Sequence, residues 1–153
     1  MADPLHCDWS GANQQFYSGT HTIMEIVPGA AGVGCVKSKL AVTAKTTSYT
    51  VLTSDFGSVF TTRGALAAVT FTLPAASGNS GAWVEFYNVA DQDMIITGTD
   101  EELVVFNDAT ADAIQFSTAS EQIGGAFRAI CDSTSWIVVP MATETQTVTI
   151  TSA

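Results

Sequence analysis

The chain has 153 residues, 46% of them hydrophobic and 13% charged, with a formal net charge of −10. It is too apolar for a disordered polymer, and no apolar run approaches the ~20 residues of a membrane-spanning helix, so a soluble protein without membrane insertion is expected. The acidity repels a phosphate backbone, and nucleic acid is not an expected partner.

The charge is placed unevenly. Through Lys45, the acids Asp3, Asp8 and Glu25 balance Lys37, Lys39 and Lys45; beyond it, twelve acids face Arg63 and Arg128, and 2 − 12 gives the whole net charge of −10. A chain of this length suits one domain with room for an appendage, burying about 68–70% of its extended-chain surface. The start, Met1 to Cys7, has neither a basic region nor an apolar stretch, so synthesis in a cytoplasm without a signal peptide is expected. Cys7, Cys35 and Cys131 are odd in number and far apart, which favours reduced thiols, with Cys131 as a small core residue.

In chain order, residues 1–45 read as an extended N-terminal arm and docking segment. Trp9, Phe16 and Tyr17 stand among Asp, Ser, Gly, Asn and Gln with no sustained period. Large aromatics in a polar segment have no core of their own, so Leu5, Trp9, Phe16, Tyr17 and Ile23 are the candidate partner-binding residues. Thr20 to Val27 is a possible strand closed by the glycine-rich Pro28 to Gly34, and Lys37 to Thr46 is another possible strand.

Residues 46–141 have regular punctuation. Tyr49 to Leu52, Ser58 to Thr61, Val69 to Leu73, Trp83 to Val89, Met94 to Thr97, Leu103 to Phe106, Ala113 to Phe116, Ala126 to Cys131 and Ser135 to Val139 read as strands, with breaks at Gly57, Gly64 and Gly78 to Gly81 and further breaks downstream. Val69-Thr-Phe-Thr-Leu73 alternates strictly, placing Val69, Phe71 and Leu73 on one face until Pro74 ends the strand. Short strands at steps of about ten residues predict an all-β fold: an antiparallel sandwich, jelly-roll-like or barrel-like. Residues 142–153 suit an edge strand, a strand added to a neighbouring subunit, or a frayed terminus. Trp83, Phe86 and Trp136 are expected in the core.

Residues that could carry chemistry are sparse. His6-Cys7-Asp8 points its side chains in alternating directions and no second cluster completes a tetrahedral site, so no metal is expected. His21 has no carboxylate neighbour within three residues, and a triad would have to be built on the arm, a poor platform. Gly78-Asn-Ser-Gly81 is not a nucleophile elbow, and Gly29-Ala-Ala-Gly32-Val-Gly34 lacks the ending and helix of a phosphate loop. Asp91, Asp93, Asp100, Glu101, Glu102 and Asp108 read as solvated turns without a calcium-loop pattern. No catalytic residue and no cofactor is expected.

Tyr49-Thr50-Val51, the Asp55-Phe56-Gly57 turn, Val59-Phe60, Gly64-Ala65, Val69 to Pro74, Gly78, Trp83 to Phe86, Ile95-Ile96, Gly124-Gly125 and Trp136 to Val139 follow one another in a pattern. On these residues, Thr47 to Met141 resembles a module recurrent in tailed-bacteriophage structural proteins: head decoration proteins, head fibres and some tail fibres. The resemblance covers nearly two thirds of the chain. It implies a homotrimeric β-domain held to a virion by its N-terminal segment, with the major capsid protein as partner. The brevity of the chain favours a capsid decoration (cement) protein on the outer surface of the shell. The alternative it implies is a short head or tail fibre binding a host receptor or glycan, with Trp83, Phe106 and Phe116 as candidate contacts. A glycan-degrading enzyme is a further rival with no catalytic constellation to support it.

Overall fold

The computed structural model describes residues 6–10, 13–18, 21–28 and 34–36 through their backbone, and 40–99, 102–143 and 146–152 in full. The chain divides into two compact units, Met1–Lys39 and Leu40–Ala153. In the first, β1 (His6–Ser10), β2 (Asn13–Ser18), β3 (His21–Pro28) and β4 (Gly34–Val36) form an antiparallel meander in that order, with a register shift between Phe16 and Tyr17.

The second unit is all-β. Its strands are β5 (Val42–Ala44), β6 (Tyr49–Thr50), β7 (Val59–Thr61), β8 (Val69–Thr72), β9 (Trp83–Tyr87) and β10 (Met94–Thr97), then β11 (Leu103–Val105), β12 (Asp108–Ala111), β13 (Ala113–Phe116), β14 (Ala126–Cys131), β15 (Trp136–Met141) and β16 (Thr149–Thr151). They form two sheets, ordered β16-β13-β10-β8-β6 and β12-β11-β15-β14-β9-β7-β5. The alternation in β8 does what its sequence demands: Val69, Phe71 and Leu73 are fully buried. Phe71 meets Phe86 of the opposite sheet with ring centroids 4.8 Å apart, and Phe116 stacks on Phe127 at 4.5 Å. The two inner faces thus interdigitate as a β-sandwich.

Both sheets are mixed where an antiparallel arrangement was expected. β5, β7 and β9 run parallel in one sheet, β6, β8 and β10 parallel in the other, and β11 runs parallel to β15. The cause is the path of the chain. From β5 to β10 every corner carries it from one sheet to the other, so the next strand in a given sheet arrives one full turn later in the same direction. Residues 42–97 are therefore a flattened coil. The rest is largely antiparallel: the β14–β15 hairpin fits between β9 and β11, and β13 closes on β10.

Corners are fixed by polar groups and by small residues. Gly57 sits at φ +82°, a conformation that side chains disfavour, and its N–H donates to the Trp83 carbonyl at 2.8 Å. Gly125 packs so tightly that a Cβ would lie 2.7 Å from the Phe116 ring. At one end of the sandwich the buried Thr62, Asn88 and Gln122 tie three loops together: the Thr62 hydroxyl donates to Asn88 and accepts from the N–H groups of Val89 and Ala90, while Gln122 donates to Asp93. Buried polar groups are tolerated because they are paired in this way. Pro74 ends β8, and its carbonyl accepts the Trp136 indole N–H at 2.7 Å. Within residues 142–153, β16 pairs antiparallel with β13 at the edge of its sheet.

Candidate interaction face

The seven-stranded sheet has a second, outward face, and register assigns its side chains. One cross-strand row runs Val42, Val59, Glu85, Arg128, Val139. A second runs Trp83, Ile130, Ile137, Val104, and a third Ala44, Thr61, Tyr87, Ala126, Met141. Ile130, Ile137, Val139 and Met141 stay between 38% and 48% exposed, a contiguous apolar surface of the kind that marks interaction sites.

At its centre Arg128 faces Glu85 across the strands, Nε to Oε1 at 3.4 Å, with side chains 46% and 16% exposed. The guanidinium carbon lies 5.4 Å over the Trp83 ring, and the Tyr87 hydroxyl donates to Glu85 at 3.1 Å. Burial and then the Glu85 carboxylate beside it push the Tyr87 phenol above its ordinary range. As a solvent-facing group this pair is worth about 0–1 kcal/mol. Its importance is electrical: the face carries one acid and one base, and so no net charge.

An open groove of about 250 Å³ lies among Ser120, Glu121, Ile123, Gly124, Thr143 and Gln146. Its polar groups bind one another, Gln146 donating to the Ile123 carbonyl and the Thr147 hydroxyl to Glu121. It is smaller than an ordinary ligand site. The open end of the coil, at edge strands β5 and β6, exposes Leu40, Val42, Leu52 and Leu66, the last at 92%. At the β11–β12 turn Phe106 is 69% exposed at φ 51°, a left-handed conformation that a bulky residue adopts at a cost.

The acids cap loops. Asp132 accepts N–H groups from Thr134 and Ser135, both at 2.8 Å; Asp108 accepts from the Thr110 N–H and the Ser152 hydroxyl; Glu102 accepts from the Ala76 N–H. Backbone donors from Ser135 and Thr134 hold the Asp132 carboxyl below its usual range, and the Ser152 hydroxyl followed by the Thr110 N–H does the same at Asp108. Among the described residues no three of His, Cys, Asp or Glu converge to hold a metal, and no helix is long and apolar enough to cross a membrane.

Of the residues singled out in the sequence, Leu5 lies outside the described residues. Trp9 falls in β1, Phe16 and Tyr17 in β2 and Ile23 in β3, and their side chains lie outside the description, as do those of His6, Cys7, Asp8 and His21. Phe86, Trp136 and Cys131 are core residues, as expected. Trp83 is not; it lies half-buried on the outward face beneath Arg128. Phe116 is fully buried, which removes it as a distal contact. Sequence reasoning missed the outward face, although Trp136-Ile137-Val138-Val139 carried its signal: a strand with one wet face alternates, and four successive apolar residues mark a strand apolar on both faces. No protein-family model matches the chain, and no curated protein sequence matches it.

Proposed function

We propose that this chain is a non-enzymatic structural protein of a bacteriophage virion that binds the outer surface of the capsid and stabilises the shell. The observation that carries this reading is an acidic β-sandwich with an apolar, charge-balanced outward face, a surface suited to assembly. The module resemblance supplies the setting, the major capsid protein as partner and three copies as the expected assembly. A protein that binds the closed lattice and not its parts stabilises that lattice by mass action. Residues 1–45 are the proposed docking segment, with Leu5, Trp9, Phe16, Tyr17 and Ile23 as its apolar contacts.

The test is co-sedimentation of the full chain with expanded phage heads lacking it, beside a Trp9→Ala, Phe16→Ala, Tyr17→Ala triple variant. Saturable binding by the parent that the folded variant loses supports the docking segment. If the parent does not sediment with heads, the capsid reading fails.

A second reading is favoured by Phe106, an exposed aromatic on a strained turn. In a short head or tail fibre it would stack on a host glycan. Retention on a glycan array that Phe106→Ala abolishes, without head binding, would establish this reading in place of the first.

A further inference from the structure

We propose that the outward face of the seven-stranded sheet is where copies of this chain meet, with Arg128 of one copy set against Glu85 of the next. Three observations converge. The face is mostly apolar along its three registered rows, with the Glu85–Arg128 pair as its charged centre, and the β15 run from Trp136 to Val139 is apolar on both sides of its strand. A strand patterned for two dry faces needs a second cover, and the opposite sheet supplies only the first.

Charge selects the occupant. Of the nine acids beyond Lys45 among the described residues, one, Glu85, lies on this face, where Arg128 neutralises it; the other eight lie elsewhere. A basic partner is drawn to those eight and away from a face without net field. A second copy is repelled by the acidic loops and can approach only through a neutral face. The face is also its own complement. Glu85 and Arg128 occupy directly paired positions on β9 and β14, so each copy presents an acid and a base side by side, and a closed ring of copies can set each Arg128 against the Glu85 of the next. Arg128 turns Nε to its own Glu85, leaving the terminal guanidinium nitrogens for an acceptor across the contact. Ile137 and Val139 flank that pair and supply the apolar area.

This deepens the assembly reading above and rests on it only for the expected copy number. The experiment is sedimentation equilibrium of the full chain at about 100 μM without capsids, so a failure of capsid binding leaves its result unaffected. The parent is expected above the 16.0 kDa of one chain. Val139→Asp is expected to reduce it to a monomer. Arg128→Glu and Glu85→Arg, each of which sets like charges together, are expected to weaken association at least tenfold. Combined in one chain, the two exchanges are expected to restore it. Near-UV circular dichroism checks that each variant is folded, and Ile137→Ser is a second apolar variant should Val139→Asp fail to fold. A monomeric parent overturns the proposal, as does an oligomer whose mass is unchanged by Arg128→Glu and by the folded apolar variant.

Discussion

The two faces of the β14–β15 hairpin are built from similar residues and do different things. Inward, Phe127, Ala129, Cys131, Trp136 and Val138 are at most 2% exposed and lock into the opposite sheet. Outward, Ile130, Ile137, Val139 and Met141 are comparably apolar yet remain more than a third exposed. The contrast shows that hydrophobicity alone does not define a core. A core needs a facing layer, and one of these two faces lacks it among the described residues.

The largest expected effect contrasts the faces directly. Phe86→Ala removes a ring packed on Phe60 and Phe71 and should cost about 3–5 kcal/mol in urea unfolding. Ile137→Ala on the outward face should cost under about 1 kcal/mol in the monomer. If the two losses are similar, the outward face is already covered within one chain and the contrast collapses. Next, Gly125→Ala drives a methyl into the Phe116 ring and should destabilise by about 1–3 kcal/mol. An unchanged midpoint would mean that the inner packing yields more readily than its geometry indicates.

Smaller effects test the rim. Phe106→Asn replaces a bulky residue at φ 51° with one that tolerates the left-handed region, and should raise stability by about 0.5–1 kcal/mol. A loss instead would reveal a contact that the turn makes at the cost of strain. The smallest effect is acid dependence. Asp108 and Asp132 have carboxyls held below their unfolded values. Their contribution is full above the unfolded value of about 3.9 and is lost as pH falls through the lower folded values. Asp132→Asn should therefore shallow the fall of the thermal midpoint between about pH 4 and pH 2. An acid limb that keeps its slope would deny Asp132 this role.

Much of the fold was legible. The alternation of Val69 to Leu73, the Pro74 stop and the apolar run around Ile95 lie in the strands β8 and β10 as expected, because a period of two and a proline act locally. Strand direction was not legible. A strand of alternating residues reads alike whichever way its neighbour runs, and ten-residue steps that suggested hairpins are in fact corners between sheets. β12, with its Asp-Ala-Thr-Ala sequence, lacks the β-branched and aromatic enrichment that reveals a strand and is held by pairing to β11. Trp83 was assigned inward because it is large and apolar. Its neighbour Val84 takes the buried position instead, since successive residues point to opposite faces and the register set by Phe86 decides. The outward face had a signal in Trp136 to Val139, but a run of four apolar residues does not say which side lacks a partner.

The insertion of the β14–β15 hairpin between β9 and β11 imposes an order on folding. β11 precedes that hairpin in the chain by some twenty residues and has no place in the sheet until the hairpin is seated. A chain emerging from the ribosome can wind the coil of β5 to β10 early, but the growing edge at β9 stays unsatisfied until the last fifth of the sequence arrives. Pulsed hydrogen exchange during refolding should therefore show the β7 and β9 amides that bond each other protected before those of β11, and the reverse sequence would refute this order.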